Sequence, residues 1–99
     1  MFSVLEARKK ALNYLADIEK EMEMPLLLIE DEVIESDMAY AFFYNSKDYI
    51  ETGDISSCLA GNGPIIVLRK NGEVIEGGTD SPVEYYLDNL KKYGSLYPP

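Results

Sequence analysis

Eighteen carboxylates, one thiol and no histidine are the groups from which this 99-residue chain would have to build acid–base, metal or nucleophilic chemistry. Without histidine there is no Ser-His-Asp or Cys-His nucleophile system and no imidazole ligand for a metal. One cysteine excludes an internal disulfide and a thiolate-rich zinc site. Glu30-Asp31-Glu32 and Glu35-Ser36-Asp37 would attract Ca²⁺ by charge, but they lack the spacing and central glycine of a calcium loop. Gly61-Asn62-Gly63-Pro64 precedes a strand-like run and is not followed by Lys-Ser/Thr, so it is no phosphate loop. Paired carboxylates for glycoside chemistry would need a pocket that nothing in so short a chain announces. The expectation is a protein without enzymatic activity, cofactor or metal.

Charge is the stronger signal. Between Glu21 and Asp54 lie ten acids and a single base, Lys47, so this third of the chain carries the entire net charge of −9. Such a chain will not neutralise nucleic-acid phosphates or adhere to an anionic membrane. Two readings of the segment stand side by side. It is either a solvated face that keeps the protein soluble or an acidic surface for a basic protein partner.

The elements around these residues follow from pattern. Ser3-Val4-Leu5-Glu6 has the spacing of a capping box. A helix should run from there to about Glu23, burying Val4, Ala7, Ala11, Leu15, Ile18 and Met22. Leu26 to Glu30 reads as a strand, with Val33-Ile34-Glu35 as a short continuation. Met38 to Asn45 reads as the strongest strand, with Tyr40, Phe42 and Tyr44 on one face and Ala41 and Phe43 on the other. Asp48-Tyr49-Ile50 suggests one turn. Ile55 to Ala60 suggests a short helix capped by Asp54, holding Cys58 as a small buried hydrophobe and stopped by Gly61. Ile65 to Arg69 reads as a buried strand. Asn71-Gly72 predicts a type I′ hairpin turn returning through Glu73 to Glu76. Ser81-Pro82-Val83-Glu84 predicts a second capping box opening a helix that buries Val83, Tyr86, Leu87 and Leu90 and ends at Gly94. Residues 94–99 form a possible flexible tail whose docking is left open.

The order α-β-β-(loop/short helix)-β-β-α predicts a single α+β domain over residues 1–99. Its mainly antiparallel four-stranded sheet would carry the N-terminal and C-terminal helices on one face and leave the other open. No positive n-region with a long apolar core precedes the first helix, and the longest aliphatic run, Leu26 to Ile29, falls far short of the ~20 residues that span a bilayer. With the lone free Cys58, this predicts a cytoplasmic protein.

Three stretches together resemble a known family. They are the aromatic strand running into Phe43-Tyr44-Asn45-Ser46-Lys47-Asp48-Tyr49-Ile50-Glu51-Thr52-Gly53-Asp54, then Leu59-Ala60-Gly61-Asn62-Gly63-Pro64-Ile65-Ile66-Val67, and then Asn71-Gly72-Glu73-Val74 with Gly78-Thr79-Asp80-Ser81-Pro82-Val83-Glu84-Tyr85-Tyr86. In order and spacing they are similar to the immunity protein 35 family, which includes YrhB-like small bacterial proteins. The resemblance implies a cytoplasmic bacterial protein that binds and neutralises a toxin, with a chaperone-like activity as the alternative. It transfers no contact residue, and Gly53, Gly61, Gly63 and Pro64 are read as loop geometry.

Residue reasoning supplies the candidate surface. Glu30, Asp31, Glu32, Glu35 and Asp37, with Asp48, Glu51 and Asp54, would face a basic patch on a toxin and steer its approach. Tyr40 or Tyr49 would supply an aromatic anchor, as would Tyr44 if it is not core. The expected partner is one basic protein, with no nucleic acid and no membrane, bound by a monomer or homodimer. The alternative is a holdase that binds unfolded clients through exposed apolar surface.

Overall fold

The computed structural model describes residues 1–60 and 62–99. Helix α1 (Val4–Met22) opens on the Ser3–Glu6 capping box, with both reciprocal hydrogen bonds formed, and closes at Glu23 in a left-handed conformation. Strands β1 (Leu26–Leu28), β2 (Ile34–Glu35), β3 (Ala39–Phe42) and β4 (Tyr44–Ser46) follow, with a 3₁₀ turn at Glu30–Glu32 between the first two. Helix α2 (Lys47–Thr52), a 3₁₀ turn at Ile55–Ser57, strands β5 (Ile65–Leu68) and β6 (Val74–Glu76), and helix α3 (Val83–Tyr93) complete the chain.

The strands form a four-stranded antiparallel sheet in the order β2-β3-β5-β6, with β1 and β4 paired as a second, two-stranded sheet. The two expected N-terminal strands are thus antiparallel neighbours, each broken into two pieces. Ile29 still donates its N–H to the Phe43 carbonyl across the break. The aromatic strand alternates as expected. Tyr40, Phe42 and Tyr44 join the core under α1, while Ala39 and Ala41, with Phe43 partly buried, join the core under α3.

That alternation overturns one expectation. The helices do not share a face; α1 covers one side of the sheet and α3 the other. The central strands are apolar on both faces, with Ile65 and Val67 turned to one core and Ile66 to the other. Two apolar faces both need a cover.

Several local expectations change as well. Asn71 has no positive φ; Gly72 alone does, at 73°, so the turn is not type I′. The Leu68 carbonyl accepts from Gly72 N–H and Asn71 Oδ1 accepts from Glu73 N–H, which makes a longer loop. A Cβ on Gly72 would stand 2.6 Å from the Phe2 ring. Helix α3 opens at Pro82 without a side-chain cap, so the Ser81 box does not form. Asp80 instead accepts the Tyr86 hydroxyl, which fixes the loop in another register. Met22 is exposed at the end of α1. Cys58 closes a single 3₁₀ turn and is exposed rather than buried, because one such turn has no second side to bury it. The expected stop at Gly61 lies outside the described residues.

Residues after Gly94 pack back onto the fold. Leu96 is buried against the α3 face, its carbonyl accepts from Asn89 Nδ2 at 2.8 Å, and Tyr97 meets Tyr86 edge-on at 5.5 Å. Gly63 behaves as loop geometry. A Cβ there would overlap the Gly77 carbonyl, to which the loop is closely apposed.

Candidate functional site

The sequence-selected acids do not form one face. The 3₁₀ turn and β2 lie along a free edge of the four-stranded sheet, and that edge divides them. Glu30 turns to α1, where Arg8 Nε donates to Oε1 at 2.9 Å and a second guanidinium nitrogen to Oε2. The Arg8 hydrogen bonds hold the Glu30 carboxyl below the usual glutamate range. Glu35 pairs in register with Tyr40, so its side chain starts on the α1 side of the sheet. Asp31 and Glu32 instead rim a groove of about 420 Å³ on the α3 side, floored by Val33, Ile34, Phe43 and Val83 and closed by Glu84. Further along, Asp37 and Asp88 line a neighbouring depression with Lys91, whose ammonium is 3.3 Å from Asp37.

The remaining candidates separate further. Asp48 and Glu51 are exposed on α2. Asp54 caps the 3₁₀ turn, accepting from Ser56 N–H and Oγ, and those bonds hold its carboxyl low. Tyr40 is 2% exposed, donates its hydroxyl to the Phe2 carbonyl and lies under the Arg69 guanidinium. It presents no surface to a partner. Tyr44 is core, and Tyr49 is half-buried. Among the described residues, no three carboxylate or thiol groups are gathered where they could hold a metal ion.

Two features escaped sequence reasoning. Glu84 and Asp88 lie outside the acidic segment, yet Glu84 completes the groove's rim and Asp88 lines the depression beside it; their i,i+4 spacing on the polar side of the α3 stripe was the available signal. Asn45 and Ser46 organise the loop that follows. Asn45 Oδ1 accepts from Leu59 N–H, and Ser46 Oγ donates to the Ser57 carbonyl. Two polar residues ending an apolar strand were the hint.

A second groove, of about 410 Å³, runs between α1, β1 and α2. Leu12, Leu15, Leu26–Leu28 and Ile50 line it, with Arg8, Glu30 and Asp31 at one end. The Glu30–Glu32 turn therefore separates an apolar groove from an acid-rimmed one.

The family model described as immunity protein 35 matches residues 5–89. A protein of Escherichia coli (strain K12), described as uncharacterized protein YrhB, is 30% identical over 91 residues, covering 92% of this chain and 90% of its own length. No solved structure matches. Among the described residues, no helix is long and apolar enough to cross a membrane.

Proposed function

The chain belongs to the immunity protein 35 family, and from that premise we propose that it neutralises a cognate toxin by stoichiometric binding through its acidic edge, without turnover. The match across residues 5–89 carries this reading. Family membership implies a toxin partner, and the charge of −9 favours a basic one. The protein acts in the cytoplasm, where a free thiol persists. Asp31, Glu32 and Glu84 line the groove that would meet basic side chains, while Glu35 and Asp37 extend the negative edge. Like charges gathered on one protein raise the encounter rate of an oppositely charged partner, to about 10⁸–10⁹ M⁻¹s⁻¹ at low salt.

A pull-down from the native host with the tagged full chain, at low and high salt, tests this. One stoichiometric basic partner released by salt is expected. Joint charge reversal at Glu32, Glu35 and Asp37 should then lower the association rate more than it raises dissociation. Unchanged low-salt kinetics would sink the acidic-edge assignment.

A specific observation favours a second reading. Ile55 is 82% exposed and Leu5 71% exposed, and the α1–β1–α2 groove is mostly apolar. Such surface suits a holdase. Suppressed aggregation of several unrelated clients, with no tight single partner, would support it.

A further inference from the structure

The free edge of β2 carries backbone groups that nothing described here engages. Ser36 donates its N–H to the Ala39 carbonyl at 2.9 Å, and the register pairs Ile34 with Ala41 and Glu35 with Tyr40. Inward bonds fall on alternate residues of an antiparallel pair. Glu35 therefore turns its N–H and C=O outward, away from β3. Beside this edge, Ile34, Phe43 and Val83 floor the α3-side groove, and Asp31, Glu32 and Glu84 rim it.

We infer that this edge and groove receive an extended segment of the partner, alternating basic and apolar side chains, as an added β-strand. Main-chain bonds to Glu35 would provide attachment, and the strand's period of two would sort apolar and basic side chains to opposite faces of the sheet. Apolar residues would enter the α3-side groove beside Ile34, and basic ones would meet Glu35 on the α1 side. Charge selects the occupant. A second copy of this chain would bring Asp31, Glu32 and Glu35 of both molecules together, at −9 each, so it is disfavoured. The inference rests on the toxin-binding reading for the identity of the partner, but not for the site.

The test uses the ¹⁵N-labelled full chain and a short synthetic peptide alternating valine and lysine, with a valine–glutamate peptide as control. The valine–lysine peptide should slow hydrogen exchange at the Glu35 amide and shift the resonances of Val83 and Glu84. The control should do neither. Glu35→Pro removes one outward N–H and no ladder bond, so the fold should survive, and the peptide should bind about tenfold more weakly. Glu84→Lys leaves the backbone intact and should also weaken binding. An unmoved Glu35 amide, or equal affinity for Glu35→Pro, overturns the inference. So does a concentration-dependent dimer that Glu35→Pro dissociates. A toxin that binds Glu35→Pro as tightly as the natural chain removes the strand-addition site and leaves toxin neutralisation standing. Failure to find a toxin removes that reading, while the peptide result still decides the edge.

Discussion

The two faces of the sheet are filled by opposite strategies. Under α1 the sheet supplies most of the bulk, through Tyr40, Phe42, Ile65 and Val67, and the helix meets it with Ala7 and Ala11 beside a single buried leucine, Leu15. Under α3 the sheet supplies Ala39 and Ala41 beside Ile66, and the helix supplies Tyr86, Leu87 and Leu90. Small residues on a helix let its backbone come close. Helix α1 lies against β1, β3, β5 and β6 over more of its length than α3 lies against any strand. The standing-off helix leaves depressions along its margins, and one of them is the acid-rimmed groove. The α3 face also relies on polar bonds, from Tyr86 to Asp80 and from Asn89 to the Leu96 carbonyl. Its Tyr86–Asp80 bond ties the packing of this face to the protonation of one phenol.

The sharpest way to break this contrast is Phe42→Ala. The ring is fully buried under a helix that already sits close and cannot sink further, so urea unfolding should show a loss of about 3–5 kcal/mol. On the other face Leu96→Ala should cost less, about 2 kcal/mol, because the residues after Gly94 can resettle at the surface. A cost for Leu96→Ala equal to that of Phe42→Ala would erase the distinction.

A third test uses alkali. The hydrogen bond to Asp80, aided by burial, raises the Tyr86 phenol above the ordinary tyrosine value. A group raised on folding stabilises fully below its unfolded pKa and loses that contribution as pH climbs through the folded one. Stability should therefore decline above about pH 10, and Tyr86→Phe should flatten the decline while leaving the α1 core untouched. A chain whose alkaline profile is unchanged by Tyr86→Phe would refute the assignment.

The smallest effect belongs to Glu30. Its carboxyl is held low by Arg8, so its contribution is present above the ordinary value of 4.5 and is lost as pH falls below it. The pair is largely solvent-exposed, so Glu30→Gln should cost no more than about 0.5 kcal/mol at low salt and nothing measurable at high salt. A larger loss would mean that the pair fixes the turn between the two grooves.

Local chemistry explains what was legible in the sequence. The Ser3–Glu6 box, the β5–β6 hairpin and the Gly94 cap depend on neighbours a few residues apart, and each formed. The two-faced character of Tyr40 to Phe43 was also legible, and it argues against both helices lying on one face. A strand apolar on both sides demands two covers. The candidate acids were legible as a charge count and not as a surface, because a single register choice sends Glu35 and Ile34 to opposite sides of the sheet. Glu84 comes to the groove, and Asp88 to the depression beside it, from a helix some fifty residues away along the chain, and no local pattern could have joined them to Asp31. Tyr40 illustrates the same limit. Its burial depends on the Phe2 carbonyl and on Arg69, both remote in sequence.

Phe2 donates its N–H to the Arg69 carbonyl at 2.7 Å, and its ring rests against Gly72. The chain's opening residues are thus clasped by a hairpin made much later. On a ribosome, α1 would emerge long before its clasp exists and would wait, with Ala7, Ala11 and Leu15 uncovered, until β5 and β6 arrive. Closing so long a loop is entropically costly and gives the fold a late-committing assembly. A nascent chain halted before residue 69 should remain protease-sensitive along its whole length, however well its first helix is capped.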